Sequence, residues 1–289
     1  MIAMYQLMDG KLVSQSVKDR IRDEVAVYRE QGKEITLAVI IVGDDPASRV
    51  YVNNKKKACE YVGFRSLEYA LPESTTQEEL IALIHELNGR EDVNGILCQL
   101  PVPKHIDDKA VIAAIDVKKD VDAFSEINVG KIMIGDYDFL PCTPAGVMEM
   151  LKYYQISVEG KNCVVIGRSN IVGKPMAMLL LHENGTVVMT HSRTQKLAEL
   201  TKNADILVAA VGKAKFVTAG MVKDGAVVID VGMNRDENGK LCGDVDFNSV
   251  AEKCSYITPV PGGVGPMTIA MLMQNTLKAY EIQNGGTAE

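Results

Sequence analysis

Short runs of consecutive apolar residues alternate with segments of helical periodicity through almost the whole chain. The apolar runs fit strands that are buried on both faces, which is typical of parallel sheets: ITLAVIIVG, NGILCQL, NCVVIG, ILVAAVG and GAVVIDVG. The segments between them are long enough for crossover helices, such as SRVYVNNKKKACEYVGF and KPMAMLLLHEN. This alternation predicts an α/β fold with parallel-rich sheets covered by helices.

The chain of 289 residues is long enough for two domains. Residues 116–141 are poor in periodicity and contain two glycines, so we interpret this segment as the crossing between the domains. We expect an N-terminal α/β domain of residues 1–140 and a C-terminal Rossmann-like, doubly wound domain of residues 141–265, with a cleft between them. The last apolar helix, in residues 266–289, is expected to pack back on the first domain.

Composition narrows the classes of function. The net charge is −7 and aromatic residues make up 5% of the chain, so we expect no nucleic-acid partner. No signal-peptide core and no apolar run of about 18 residues is present, which predicts a cytoplasmic protein without a membrane partner. The cysteines are widely spaced, with no C-x-x-C pair and no histidine at ligand spacing. Reduced thiols and no metal site are therefore expected.

A glycine-containing turn, GRSNIVGKP, joins the apolar run NCVVIG to the helical segment after it. Such a turn lets backbone N–H groups and a helix N-terminus approach a diphosphate, and here Gly167, Arg168 and Ser169 would lie at that place. The usual G-x-G-x-x-G pattern is absent, since the two glycines are six residues apart. The turn alone is thus compatible with nucleotide binding or with a simple tight turn.

The following strand bears on the choice of cofactor. In NAD-binding sheets it commonly ends in a carboxylate that binds the ribose 2′-hydroxyl, whereas TVVMTHSRT ends without one. Ser192 and Arg168, with Arg193 as a further candidate, are able to accept a 2′-phosphate. The residues therefore favour NADP over NAD.

The lysine triplet of SRVYVNNKKK raises the question whether one of these lysines takes part in chemistry. On a helix Tyr51 and Lys55 share a face, while Lys56 and Lys57 point elsewhere. If that face is desolvated, the charged form of Lys55 is disfavoured and its amine becomes available for proton transfer. The alternative is an ordinary solvated helix surface.

Two further polar residues bear on this question. Gln99 interrupts the apolar run GILCQL close to its C-terminal end, just before PVP, where open parallel sheets bind their ligands. Its amide needs a hydrogen-bond partner that a lysine would supply. Asp122, in KKDVDAF, lies at the edge of the crossing segment, where a loop carboxylate is usually solvated or caps a turn; the alternative is a place in the same site as Gln99. The loop PVPGGVGPMT is rigid at its prolines and permissive at its glycines, which fits ligand binding and a hinge equally.

Together these motifs make the sequence resemble the bifunctional methylenetetrahydrofolate dehydrogenase/methenyltetrahydrofolate cyclohydrolase family over nearly its full length. The matching segments occur in the family's order and at its spacing: YVNNK, GILCQLPVP, KDVDAF, PCTP, GRSNIVGKP, VIDVG, GDVDF and PVPGGVGPMT. The chain departs from the family where Gly-Phe-His often follows the aspartate, because Ala123, Phe124 and Ser125 stand there.

The resemblance implies oxidation of 5,10-methylenetetrahydrofolate to the methenyl compound with NADP, followed by hydrolysis to 10-formyltetrahydrofolate. It implies a folate-binding first domain, an NADP-binding second domain and a homodimer. It makes Lys55 the catalytic residue, Gln99 its hydrogen-bond partner, Asp122 a pterin contact and Tyr51 a stacking wall for the folate. Hydride transfer needs no base, whereas hydrolysis needs a proton shuttle, for which Lys55 is the candidate.

The resemblance carries over two further sets of residues. The folate contacts in the last loop are Pro261, Gly262, Gly263 and Val264, and the cofactor contacts are Gly167, Arg168, Ser169, Ser192 and Met233.

Two other functions remain as alternatives. An NADP-dependent dehydrogenase of the shikimate type also pairs a lysine and an aspartate with a Rossmann domain, but it does not account for Tyr51 or for the PGGVGP loop. A nucleotide-binding protein without catalysis would be expected to lack one of Lys55, Gln99 and Asp122, and all three are present.

Overall fold

The computed structural model describes residues 5–285, apart from the side chain of Ala47. The strands are β1 Gln6–Leu7, β2 Thr36–Val42, β3 Arg65–Leu71, β4 Gly95–Cys98, β5 Asn162–Ile166, β6 Thr186–Thr190, β7 Ile206–Ala209, β8 Ala226–Asp230, β9 Asn234–Arg235, β10 Leu241–Cys242 and β11 Cys254–Ile257. The α-helices are α1 Gly10–Glu30, α2 Pro46–Val62, α3 Gln77–Gly89, α4 Asp108–Ala114, α5 Glu126–Ile134, α6 Cys142–Tyr153, α7 Gly173–His182, α8 Leu197–Thr201, α9 Phe247–Val250 and α10 Val264–Gln283.

Two compact units make up the chain. One contains the described residues up to Ser14 together with Thr143–Thr268, and the other contains Gln15–Cys142 with the described residues from Ile269 onwards. The domain limits given by the sequence stay a prediction, and residues 1–4 and 286–289 of the predicted first domain lie outside the described residues.

The unit around Gln15–Cys142 is built on a parallel sheet with the strand order β3-β2-β4. Every residue of the central strand β2 is buried, as its uniformly apolar sequence predicts. Ile40 of this strand packs in one core with Leu80 and Ile84 of α3 and Val111 of α4. Helices therefore cover the sheet and leave its carboxyl edge to the loops.

Local capping fixes the helix that carries the lysine triplet. Asp45 accepts a hydrogen bond from the backbone N–H of Ser48 at 2.7 Å, and Pro46 occupies the first turn. At the other end Gly63 adopts a φ of 87°, a conformation that glycine reaches without strain. The helix thus ends at Gly63, as the sequence predicts, and begins at Pro46, two residues before the predicted segment.

Residues 116–141 differ from the sequence interpretation, because this segment contains the helix α5. Ser125 caps it by accepting a hydrogen bond from the N–H of Asn128 at 3.3 Å, and Gly135 ends it with a φ of 79°. The sequence interpretation took Gly135 as a sign of irregular structure, whereas it is the C-cap of a nine-residue helix.

The unit around Thr143–Thr268 contains a six-stranded parallel sheet with the order β1-β11-β8-β7-β5-β6. The chain passes from β5 to β6 on one side and then to β7 on the other, which is the doubly wound arrangement that the sequence predicts. The sequence analysis did not predict β1, whose two residues pair with Tyr256 and Ile257 of β11. A strand this short has no readable periodicity.

In the part of the chain that the structure describes, no helix is both long and apolar enough to cross a membrane. All six cysteines are free, and only Cys242 is not buried.

Candidate active site

Lys55 lies on the inward face of α2. Its hydrogen-bond partner and the ionisable groups near it belong to the unit around Gln15–Cys142. The residue is 9% exposed, whereas the neighbouring Lys56 and Lys57 are exposed to solvent. Its Nζ donates a hydrogen bond to Oε1 of Gln99 at 2.8 Å, and Nε2 of Gln99 donates to the carbonyl of Leu100 at 2.8 Å. The second bond orients the amide so that its oxygen faces the lysine.

Burial shifts the protonation of this lysine. The pKa of Lys55 is lowered because a charged ammonium is poorly solvated inside the protein, and the nearby carboxylate of Asp122 opposes this effect only in part. An amine with a lowered pKa is able to release and accept a proton nearer to neutral pH than a surface lysine.

Asp122 lies on the loop that follows the bridge between Ile96 and Asp120. Burial raises the pKa of the Asp122 carboxyl to about 6, although the attraction of Lys55 acts in the other direction. The thiol of Cys142 lies 3.8 Å from Oδ1 of Asp122, close enough for a weak hydrogen bond to that oxygen. A buried base and a half-buried acid thus lie in one poorly solvated environment, and their pKa values are shifted towards each other.

The loop that carries Asp122 is held by another aspartate, which the sequence did not single out. Oδ2 of Asp120 accepts hydrogen bonds from the N–H of Ser125 at 2.9 Å and from Nδ2 of Asn128 at 2.8 Å. Asp120 is 2% exposed, so these bonds replace its hydration. The KDVDAF motif therefore contains Asp120, which positions the loop, and Asp122, whose carboxyl is able to interact with a ligand.

The departure from the family pattern next to Asp122 has a structural consequence. Ala123 adopts a φ of 57°, in the left-handed region where glycine is favoured and where the family often has glycine. Ser125, at the position of the family's histidine, caps α5. The chain accepts local strain at Ala123 beside its candidate catalytic carboxyl.

Tyr51 lies one turn before Lys55 on α2 and is 38% exposed. Its phenol pKa is raised because part of the side chain is buried. Part of this side chain is therefore accessible on the helix that holds the lysine. The four predicted residues of this site all belong to one unit: Tyr51, Lys55, Gln99 and Asp122.

The last glycine loop belongs to the other unit, where the start of α1 holds it. Gly262 has a φ of 104°, and its carbonyl accepts a hydrogen bond from the N–H of Gly10 at 2.9 Å. A Cβ on Gly10 would lie 1.7 Å from the carbonyl oxygen of Gly263, so only glycine fits there. Pro261 is exposed, and Val264 is buried at the first position of α10. Gly10 was missed, although glycine at a helix start is a readable signal.

The turn after β5 is shaped by two close backbone approaches. Gly167 has a φ of 134°, and a Cβ on it would lie 2.2 Å from the carbonyl oxygen of Ala210. A Cβ on Gly173, where α7 begins, would lie 2.4 Å from the carbonyl oxygen of Gly167. The hydroxyl of Ser169 accepts hydrogen bonds from the N–H groups of Val172 and Gly173, each at 3.2 Å. Both glycines are thus required for the turn that precedes the helix N-terminus.

Arg168 and Ser192 follow two neighbouring strands at the carboxyl edge of this sheet. Ile166 of β5 is paired with Thr190 of β6, and each polar residue follows its strand by two positions. Both are exposed, as is Met233, and no carboxylate follows β6 before Thr194. The glycine turn, the helix N-terminus and the guanidinium therefore fit a dinucleotide that carries a 2′-phosphate.

Among residues 5–285 no group of three or more His, Cys, Asp or Glu side chains is placed to hold a metal ion.

Comparisons with known proteins match most of the chain to one family. The model of the tetrahydrofolate dehydrogenase/cyclohydrolase catalytic domain matches residues 8–122, and that of the family's NAD(P)-binding domain matches residues 141–284. The bifunctional protein FolD of Lachnoclostridium phytofermentans is 64% identical over 272 residues, which are 94% of this chain and 96% of that protein.

Solved structures of the same family are also similar to this chain. The bifunctional FolD enzyme of Campylobacter jejuni has a TM-score of 0.94 at 50% identity and covers 96% of this chain and 99% of its own. The Trypanosoma brucei enzyme, complexed with NADP and an inhibitor, has a TM-score of 0.91 at 38% identity, with 96% and 98% covered. Shikimate 5-dehydrogenase from Thermus thermophilus has a TM-score of 0.53 at 15% identity, with 88% and 95% covered, which shows a shared fold alone.

Proposed function

Because this chain belongs to the tetrahydrofolate dehydrogenase/cyclohydrolase family, we propose that it is a bifunctional enzyme of one-carbon metabolism. It oxidises 5,10-methylenetetrahydrofolate to 5,10-methenyltetrahydrofolate with NADP and hydrolyses the product to 10-formyltetrahydrofolate. The observation that carries this proposal is the buried Lys55, bonded to Gln99 in the catalytic domain of that family.

NADP supplies the hydride acceptor of the first reaction. In our proposal Arg168 and Ser192 bind its 2′-phosphate, because they are the polar side chains that follow β5 and β6 at equal distance. Gly167 and Ser169 form the turn that admits the diphosphate, and the backbone around Met233 contributes a further contact. The nitrogen of the substrate stabilises the cation that forms, so the protein's part in this step is to bind and align.

The second reaction needs proton transfer, which we assign to Lys55. Addition of water to the methenyl carbon releases a proton, and the departing ring nitrogen requires one. Nζ of Lys55 is able to do both because its pKa is lowered by burial and because Gln99 fixes its position. Asp122, whose pKa is raised to about 6, keeps the lysine oriented and contacts the pterin in this proposal.

The remaining folate contacts are proposals of the same kind. Tyr51 offers an accessible ring on the same helix as Lys55, which suits stacking on a flat heterocycle. Pro261, Gly262, Gly263 and Val264 form a loop whose backbone is held by Gly10, so it is preorganised for a ligand. We place NADP binding and this loop in residues 141–265, and the other folate contacts and the catalytic residues in residues 1–140 with 266–289.

We further propose a homodimer in the cytoplasm. β6 is the last strand of its sheet, and its Val188 and Met189 are 39% and 40% exposed, a surface that a second copy can cover. Light scattering of the purified protein measures this state, and a mass of one chain would contradict it. Six unpaired thiols support a reducing compartment.

One spectrophotometric experiment tests the proposed function. Methylenetetrahydrofolate is incubated with the enzyme and NADP, and the methenyl absorbance is followed as it rises and then decays. The same assay with NAD measures cofactor preference. Absence of methenyl formation with both cofactors would contradict the dehydrogenase assignment, and a methenyl signal that decays at the uncatalysed rate would contradict the cyclohydrolase assignment.

A further inference from the structure

Two aspartates of the unit around Thr143–Thr268 are buried without a cationic side chain as their partner. Asp230 ends β8 and is 3% exposed, and Asp244 follows β10 and is 0% exposed. Within residues 5–285, neither carboxylate forms an ion pair within 4.0 Å. They lie in the motifs VIDVG and GDVDF, to which the mechanism above assigns no role.

Asp244 collects four hydrogen-bond donors. Its Oδ2 accepts from the N–H of Val211 at 2.6 Å and from the N–H of Gly212 at 3.0 Å. Its Oδ1 accepts from the N–H of Lys213 at 2.8 Å and from Nδ2 of Asn234 at 2.9 Å. Three successive backbone N–H groups thus converge on one carboxylate, which fixes the loop of residues 211–213.

Asp230 holds Asp244 in turn. Its Oδ1 accepts from the N–H of Gly232 and from the N–H of Asp244, each at 2.9 Å, and its Oδ2 accepts from the N–H of Val245 at 2.9 Å. The two carboxylates therefore form one interlocked unit in which each is satisfied by backbone dipoles.

The glycines of the two motifs make room for these carboxylates reciprocally. A Cβ on Gly232, of the first motif, would lie 2.3 Å from Cγ of Asp244. A Cβ on Gly243, of the second motif, would lie 1.9 Å from Oδ2 of Asp230. Each glycine is required because the aspartate of the other motif occupies the space of its side chain.

The segments that this pair holds lie at the edge where the cofactor residues are found. Residues 211–213 follow β7, the neighbour of β5, and Ala210 between them forms the close contact with Gly167. Met233 lies between Gly232 and Asn234, both of which are bonded to the pair. The order of strands reverses between β5 and β7, which is where doubly wound sheets bind ligands.

We infer that Asp244, supported by Asp230, is a positioning residue for NADP. It holds the loop of residues 211–213 and the segment around Met233 in the conformation that receives the cofactor, without touching the reacting atoms. The inference rests on the proposed function, because NADP is the ligand that it positions. Since the carboxylate serves four donors, an amide in its place leaves at least two of them without an acceptor.

The test is Asp244→Asn, with Asp236→Asn as the matched control. Asp236 also accepts hydrogen bonds from backbone N–H groups, those of Asn238 and Lys240, but it is a partly exposed residue of the turn between β9 and β10. We expect Asp244→Asn to raise the Kd for NADP, measured by calorimetry, at least tenfold. The KM for NADP rises by a similar factor, while kcat at saturating NADP changes less than threefold. The control leaves all three values unchanged.

A folded Asp244→Asn variant that binds NADP with the Kd of the wild type overturns the inference. If that variant does not accumulate as a folded protein, Asn234→Ala carries the test, because it removes one donor from the same carboxylate. We expect it to raise the Kd about threefold, and an unchanged Kd again overturns the inference. The wild-type protein separates the two proposals: if it fails to bind NADP or to oxidise the methylene substrate, the proposed function is wrong instead.

Discussion

Replacement of Lys55 by methionine separates catalysis from stability. Methionine is apolar and of similar length, so it fills the space of the lysine on α2 but moves no proton. Removal of a positioned acid–base group typically lowers a rate by about 10²- to 10⁴-fold, which is about 3 to 5 kcal/mol of transition-state stabilisation. We therefore expect hydrolysis of the methenyl substrate to fall by at least about 100-fold.

The same substitution is expected to leave the fold intact. At 9% exposure the lysine has lost nearly all its hydration, and one hydrogen bond to Gln99 replaces it. Methionine removes this desolvation cost, while the amide oxygen of the partly exposed Gln99 gains water as its partner. The free energy of unfolding should change by less than about 1 kcal/mol, or rise.

Two measurements check this expectation. The decay of methenyl absorbance gives the hydrolysis rate, and thermal unfolding followed by circular dichroism gives the stability. Lys56→Met is the matched control, because Lys56 is the adjacent residue of the same helix and is exposed. We expect the control to retain the wild-type rate.

The result that refutes the reasoning is a folded Lys55→Met variant with the hydrolysis rate of the wild type. A large loss of stability would refute the second half, since it would mean that the buried ammonium holds the fold together. A loss of hydride transfer equal to the loss of hydrolysis would show that the lysine acts mainly by binding the folate.

Three further predictions follow from the same structure. Arg168→Ala should raise the KM for NADP by about 10- to 100-fold and that for NAD far less, because a charge-assisted bond to phosphate is lost; equal effects would remove Arg168 from the phosphate site. The folded state raises the pKa of Asp122 from 3.8 to about 6, so this carboxyl stabilises the fold below the lower value and loses that contribution as the pH rises through the higher one. Asp122→Asn should therefore gain thermal stability relative to the wild type between pH 4 and pH 7, and a pH-independent difference would contradict the assignment. Lys119→Met should lower the free energy of unfolding by about 2 kcal/mol, because Nζ of Lys119 donates to three carbonyls at the end of α3; the exposed Lys118→Met is its control.

Much of the fold could be predicted from the sequence, because buried strands and helices have distinct apolar patterns. β2 is buried at every position, and it reads as an uninterrupted apolar run. α2 has a capping aspartate at one end and a glycine at the other, which the sequence also displays. β1 and α5 were missed for opposite reasons: β1 is too short for periodicity, and α5 ends in a glycine that was interpreted as a break.

Residues of the candidate site could be predicted from the sequence only where the residue type is unusual for its local pattern. Gln99 is polar directly after an apolar strand, and the structure accounts for it by the bond to Lys55. Asp120 and Asp244 carry no such signal, because a loop aspartate is ordinary in sequence. Only the structure shows that Asp120 accepts hydrogen bonds from residues close to it in the chain and that Asp244 accepts them from the distant residues 211–213.

The two pairs of buried charged groups show why one of them is a candidate for catalysis. Asp230 and Asp244 are surrounded by N–H groups that hold both carboxylates in place. Burial raises the pKa of Asp230 to about 6, and hydrogen bonds from three backbone N–H groups oppose that shift. Lys55 and Asp122 have few such partners, and burial shifts the pKa of each towards neutrality. With few hydrogen bonds to favour one protonation state of Lys55 or Asp122, a bound substrate is able to change that state. The number of fixed hydrogen bonds thus separates the two pairs: Lys55 and Asp122 have few and are able to exchange a proton with a ligand, whereas the many bonds of Asp230 and Asp244 make that pair a rigid support.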